Sequence, residues 1–276
     1  MIRTRIITGL IIALVIIGSI LLLPFHALTL LISLIVSLSI WEFIRLRFSS
    51  EIAALIALIL FFSFIYLSLG IAFKFLLISL GLLTWVILFF QILAFPHNKS
   101  LLQNKYIWLI ATFLTHIPFW TSIFLIASYE SNFLEGLGLN ISNRSAILLL
   151  ISISAIMDTL AYFGGKKYGK TKFLSNISPK KTLEGFFIAI VGTTIIFTFF
   201  FALFGELRNL KPIILVFIVS FFSVLGDASA SLFKRASGVK DSSNLIPGHG
   251  GILDRIDSHL AAAPAFVILV FLMDGS

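Results

Sequence analysis

Two stretches near the carboxyl end combine acids, hydroxyls and amines at spacings that could do chemistry. In GDASASLFKR, 226–235, Asp227, Ser231 and Lys234 stand four and three residues apart. A helix would stack them on one face. Lys234 would then lie about 10 Å along the axis from Asp227 at ~1.5 Å per residue. An acid at membrane depth, with a hydroxyl above it and an amine at the mouth, suits a metal ion and a phosphate; the alternative is an intrahelical salt link. In KDSSNLIPGHGGILDRID, 240–257, Gly248, Gly250 and Gly251 allow a tight bend near a ligand, and Asp254 and Asp257 share a helical face. Arg255 between them points elsewhere. Together with Asp227, these carboxylates form a hard-oxygen set of the kind Mg²⁺ takes alongside water and substrate phosphate. His249 could be a ligand, a phosphate donor or a support for the glycine turn. No second histidine stands beside it at metal spacing, which argues against zinc. His259 reads as an interfacial residue at the start of the last span.

Two further segments carry similar chemistry. In MDTLAYFGGKKYGKTKF, 157–173, Asp158 interrupts an apolar run. A charged side chain at the bilayer centre costs about 2.5–3.5 kcal/mol on insertion scales, so such an acid either lies near the surface or has a task. Gly164, Gly165 and Gly169 alternate with Lys166, Lys167, Lys170 and Lys172, which reads as a flexible basic loop. In SPKKTLEG, 178–185, Pro179 is expected to open a helix with Ser178 as its cap. Lys180, Lys181 and Thr182 would then offer donors to phosphate oxygens at the positive helix end. The spacing is not that of a Walker A loop.

The elements that position these groups are membrane spans. Of 276 residues, 59% are hydrophobic and 12% charged, with a mean hydropathy of +1.11. Soluble domains carry about 25% charged residues. The expectation is an all-α, polytopic integral membrane protein forming a single membrane domain over 1–276. Apolar windows predict about nine transmembrane helices at 6–23, 27–44, 52–70, 75–95, 106–128, 145–163, 186–204, 212–233 and 259–273. The boundaries within 52–95 are soft. Arg3 and Arg5 precede an apolar run too long for a signal peptide, so it reads as a retained first span. With the amino terminus in the cytoplasm and the carboxyl terminus outside, 16 of the 20 basic residues fall inside, Arg45, Lys99 and the lysines of 164–185 among them. Lys74, Arg144, Arg208 and Lys211 remain outside. Residues 1–140 read as transmembrane scaffold, with Trp41 and Trp120 as interfacial aromatics; 145–260 reads as the motif-bearing half. The chain has no cysteine, which excludes disulfides, thiolate metal sites and cysteine nucleophiles. The net charge of +8 is explained by basic inner loops rather than by nucleic acid.

These motifs together resemble the CdsA-type phosphatidate cytidylyltransferases (CDP-diacylglycerol synthases). The family pattern S-x-[hydrophobic]-K-R-x(4)-K-D followed by P-x-H-G-G-x-x-D-R-x-D is met by Ser231, Lys234, Arg235, Lys240, Asp241, Pro247, His249, Gly250, Gly251, Asp254, Arg255 and Asp257, over 27 positions. Asp158, Thr159, Ala161, Tyr162, Phe163 and Gly165 meet D-T-x-A-Y-F-x-G, and Ser178, Pro179, Lys181, Thr182, Glu184 and Gly185 meet S-P-x-K-T-x-E-G. One departure is Ala230, where many bacterial members carry glutamate.

The resemblance implies conversion of CTP and phosphatidate into CDP-diacylglycerol and pyrophosphate in phospholipid biosynthesis, at the cytosolic face of a bacterial inner membrane. It implies Mg²⁺ at Asp227, Asp254 and Asp257, and allows a second cation such as K⁺. Lys234, Arg235, Lys240, Asp241, His249, Arg255 and Asp158 are then expected in catalysis. Ser178, Lys181, Thr182, Glu184, Ser231, Gly250 and Gly251 are expected at the substrates. The expected partners are CTP, phosphatidic acid of the inner leaflet and membrane lipids, with a homodimer allowed and no nucleic acid. A transporter would also bury carboxylates, but two similar halves with broken helices are not found. The CDP-alcohol phosphotransferase pattern is missing too, and a polyprenol kinase would release CDP.

Overall fold

A computed structural model gives the backbone of residues 2–66 and 70–274; the side chains of 1–6, 65–69 and 275–276 lie outside the described residues, Arg3 and Arg5 among them. The helices are α1 (Ile2–Leu22), α2 (Phe25–Arg45), α3 (Ser50–Tyr66), α4 (Ile71–Ala94), the short α5 (Lys99–Leu102), α6 (Lys105–Ser128), α7 (Asn143–Tyr168), α8 (Leu183–Leu203), α9 (Lys211–Ala236) and α10 (Leu253–Asp274). Each apolar window of the sequence overlaps one long helix. Among the described residues seven helices are long and apolar enough to cross a membrane, α2, α4 and α6 to α10. The described apolar parts of α1 and α3, Ile7–Leu22 and Ser50–Phe64, are shorter.

Local chemistry sets several helix ends. Asn104 accepts from the Tyr106 amide at 2.9 Å, and Ser142 from the Ser145 amide at 3.2 Å. Pro212 occupies the first turn of α9, where its missing N–H costs nothing.

Helices in lipid associate by close packing rather than by hydrophobic transfer. Gly226 lets α9 approach α10: a side-chain carbon there would strike the Asp257 and Ser258 backbone. Ala261, Ala262, Ala263 and Ala265 keep the buried side of α10 small. Phe43, Trp108 and Phe233 form an aromatic triad with ring centroids 4.8, 4.9 and 5.0 Å apart, locking α2, α6 and α9 beneath the motif loops.

Four expectations are corrected. Ser178–Thr182 is a strand, β2, paired antiparallel with β1 (Lys172–Leu174), a single short hairpin in an otherwise all-α fold. Pro179 does not open a helix; α8 starts at Leu183 with Thr182 as its cap, accepting from the Gly185 amide at 3.2 Å. The run of lysines and glycines from Gly164 to Lys167 is not loop but the last turns of α7, and the last helix starts at Leu253, placing His259 inside it. Trp120 is buried, donating to Ser33 Oγ at 2.9 Å and stacked between Phe64 and Phe124, so it is a core residue and not an interfacial one.

Candidate active site

One end of the bundle collects the β-hairpin, the end of α7, the start of α8, the end of α9 and the loop entering α10. A cleft of about 500 Å³ opens there. Asp158, Lys166, Lys180, Lys181 and Asp227 line it, together with the aromatic Tyr162, Phe173 and Phe186. α7 carries Asp158, β2 carries Lys181 and α9 carries Asp227, so these three charged groups come from three separate segments.

The expected helical stacking of Asp227, Ser231 and Lys234 is present, but the ion pairs run between elements. Lys181 Nζ meets Asp227 Oδ2 at 2.6 Å. Burial works against the Lys181 charge, yet the Asp227 carboxylate beside it prevails, joined by Asp158 and Asp257, and the amine is held above the ordinary lysine range. Lys234 Nζ meets Asp254 Oδ1 at 2.5 Å, and both side chains are nearly buried. Lys234 also lies within electrostatic reach of Asp227 and Asp257. Asp158, Asp227 and Asp257 lie within electrostatic reach of one another. The Ser231 hydroxyl reaches Asp227 Oδ1 only at 3.5 Å, and Ser258 Oγ reaches Asp158 Oδ2 at 3.4 Å.

The opening loop folds around Asp254. Its Oδ2 accepts from the amides of Ser242 at 2.9 Å and Gly251 at 3.0 Å, with Ser242 Oγ also at 3.0 Å. Gly250 pairs back through its carbonyl, which accepts from the Ile246 amide at 2.9 Å. The His249 amide donates to the Ile246 carbonyl at 2.9 Å, while its ring approaches Gly9 of α1. Lys240 and Asp241 are exposed on this loop, and Arg255 is exposed at the first turn of α10.

Other expected site residues hold backbone. Arg235 donates to the Ile177 carbonyl at 3.0 Å and the Val239 carbonyl at 3.1 Å, tying the hairpin turn to the end of α9. Glu184 accepts from the Lys170 amide at 3.0 Å and the Thr171 amide at 3.1 Å. Ser178 starts β2 and Thr182 ends it. Ala230 is buried among Phe43, His116 and Phe233.

Sequence reasoning passed over Glu42. This carboxylate of α2 is fully buried and takes four hydrogen bonds from the loop at 242–253. A lone acid between Trp41 and Phe43 in an apolar span was the available signal.

Among the described residues no three acidic or histidine side chains converge closely enough to hold a metal ion by themselves. The donor type is nevertheless one Mg²⁺ takes: the carboxylates are hard oxygen donors and Mg²⁺ fills its remaining positions with water and phosphate, while the ammonium groups of Lys181 and Lys234 now stand against Asp227 and Asp254 and would have to give way.

Comparison with known proteins bears out the family resemblance. The family described as "Cytidylyltransferase family" matches residues 3–273. A phosphatidate cytidylyltransferase of Pseudomonas aeruginosa is 32% identical over 279 residues, covering 98% of this chain and 97% of the relative. One from Haemophilus influenzae is 36% identical over 197 residues, covering 68% and 65%. The chloroplastic phosphatidate cytidylyltransferase 5 of Arabidopsis thaliana is 46% identical over 129 residues, covering 45% and 32%. With a match spanning nearly its whole length and the motif segments gathered at one cleft, the chain belongs to the cytidylyltransferase family.

Proposed function

We propose that the protein is a phosphatidate cytidylyltransferase, joining CTP and phosphatidate into CDP-diacylglycerol and releasing pyrophosphate. The observation that carries this reading is the cleft where Asp158, Lys181 and Asp227 meet, lined by basic, acidic and aromatic side chains together. An amphiphile with an anionic head fits such a surface.

A phosphate monoester has a second pKa near 6 and is mostly dianionic at pH 7, so its oxygen needs no general base. That oxygen forms a bond to the α-phosphorus of CTP, and the bond from the α-phosphorus to the β-phosphate bridging oxygen breaks. Two anions must be brought together, so charge neutralisation and alignment dominate the barrier. Lys181 and Lys234 sit at the acids and exchange toward phosphate oxygens as substrates enter. Lys166 and Lys180 attract the triphosphate at the mouth, and Asp158 orients the phosphatidate head. Asp227, Asp254 and Asp257 would hold Mg²⁺, which would supply further neutralisation when bound. A second, monovalent cation such as K⁺ is compatible with the remaining acid.

The reading extends to topology: nine spans, amino terminus in the cytoplasm, carboxyl terminus outside, in a bacterial inner membrane with the cleft facing the cytosol. The placement of most basic residues at the cleft end supports this.

The test supplies purified protein with CTP, phosphatidate and Mg²⁺. A liponucleotide and pyrophosphate are expected, and chelating the metal abolishes both. Release of CDP with a phosphorylated lipid would replace the reading by a kinase; no use of CTP would end it.

A further inference from the structure

Glu42 lies in the amino-terminal half, 200 residues from the loop it holds. It is 0% exposed. Neither ion pair among the described residues includes it. Its Oε1 accepts from Ser243 Oγ at 2.5 Å and from the Ile252 amide at 3.0 Å. Its Oε2 accepts from Ser242 Oγ at 2.8 Å and from the Leu253 amide at 2.7 Å. The two amides lie at the start of α10, where a helix leaves its N–H groups without internal partners. Each oxygen faces one amide, so both must act as acceptors.

Two neighbours show how closely this arrangement is built. Gly251 has no side chain because a carbon there would sit 2.6 Å from Glu42 Oε1 and closer still to Oε2. Ser242 Oγ lies between two acids, 2.8 Å from Glu42 Oε2 and 3.0 Å from Asp254 Oδ2, and its single proton serves one of them at a time. The Ser242 and Gly251 amides complete the hold on Asp254. Beneath, Phe43 packs on Trp108 and Phe233, which fixes α2 against the helix that carries Asp227 and Lys234.

We propose that Glu42 is a positioning residue for cytidylyl transfer: through Ser242 and the first turn of α10 it sets the place of the Asp254 carboxylate while touching neither substrate. This rests on the functional reading above. The amino-terminal half is then part of the catalytic machinery rather than scaffold alone. Glutamine at 42 would turn an NH₂ toward one of the two amides, a donor facing a donor, so a near-isosteric change breaks the hold.

The experiment compares Glu42→Gln, Ser242→Ala and Ser243→Ala in the full-length protein. Turnover is followed against CTP and against Mg²⁺, and backbone amide exchange is mapped in the same samples. Glu42→Gln is expected to lower kcat by about 100-fold, as a shift of ~1 Å in a reacting group does. It should raise the Mg²⁺ needed for half-maximal rate, leave the KM for CTP nearly unchanged, and speed exchange at 242–256 but not within α8. Ser242→Ala, which removes the hydroxyl shared by Glu42 and Asp254 but keeps the Ser242 amide on Asp254, should reproduce the Mg²⁺ shift. Ser243→Ala, which removes a Glu42 contact and the acceptor of the Leu245 amide but no contact to Asp254, should speed exchange with less than about a threefold loss of rate.

A Glu42→Gln protein with unchanged Mg²⁺ dependence would overturn the proposal. If that variant unfolds as a whole, equal effects of the two serine changes would overturn it instead. Should the unchanged protein transfer no cytidylyl group, the functional reading fails, while exchange confined to 242–256 still tells whether Glu42 holds the loop.

Discussion

Lys181 and Asp227 show what a single contact contributes. The amine comes from a strand and the acid from a helix, and they meet at 2.6 Å at the wall of the cleft. Replacing Lys181 with Met is expected to lower kcat by about 10²–10³-fold, the usual cost of removing one preorganised charge donor, as read by liponucleotide formation. Asp227→Asn should be similar. The direction of the Lys181 shift also fixes a pH expectation. Its folded pKa is raised, so its contribution to stability is fully present below the unfolded lysine value of about 10.4 and is lost only as pH rises through the higher folded value. Between pH 6 and 9 this lysine stays charged. The Lys181 charge itself therefore adds no pH dependence to the wild-type melting temperature across that range, and its contribution is expected to fade only at more alkaline pH, as thermal melts against pH would show.

At the scale of elements, the hairpin and the helix crossings hold the chemistry in place. β1 and β2 bring Lys181 back over the bundle end, and Thr182 then starts α8. Thr182→Ala removes that cap and should cost about 1 kcal/mol, measured as a lower melting temperature in detergent with the other helices intact by circular dichroism. Gly226 is the tighter constraint, because the obstacle to any side chain there is the α10 backbone itself. Gly226→Ala should destabilise by about 1–3 kcal/mol, as overpacking of a close contact does. It should also reduce turnover more than Thr182→Ala, since it parts Asp227 from Asp257.

The whole molecule presents its motif segments at one end, and the turn at residues 129–142 lies at the other, across the length of α7. The cysteine-free sequence makes the orientation directly measurable. Ser175→Cys in the hairpin turn and Ser131→Cys in the opposite turn are both at exposed positions. In intact cells an impermeant thiol reagent is expected to label position 131 from outside, and position 175 only after the membrane is opened. The reverse pattern would put the cleft on the wrong side for CTP.

The sequence by itself determined the class of protein and which charged groups its motif segments carry. Composition forces spans, because a chain this apolar has no other way to satisfy its backbone in lipid. Spacing at three and four residues places Asp227, Ser231 and Lys234 on one face, and Asp254 and Asp257 on another, because helical geometry is local. What only the tertiary structure decided is which charge meets which. Lys234 pairs with Asp254 rather than with Asp227 on its own helix, Lys181 takes Asp227, and Glu42 reaches across 200 residues to hold Ser242. Ser178 and Pro179 carry a helix-start signal, yet pairing with Lys172–Leu174 draws them into a strand. Such choices depend on how non-adjacent helices pack, through contacts like Gly226 on α10 and Phe43 on Trp108, and local spacing contains no record of that packing.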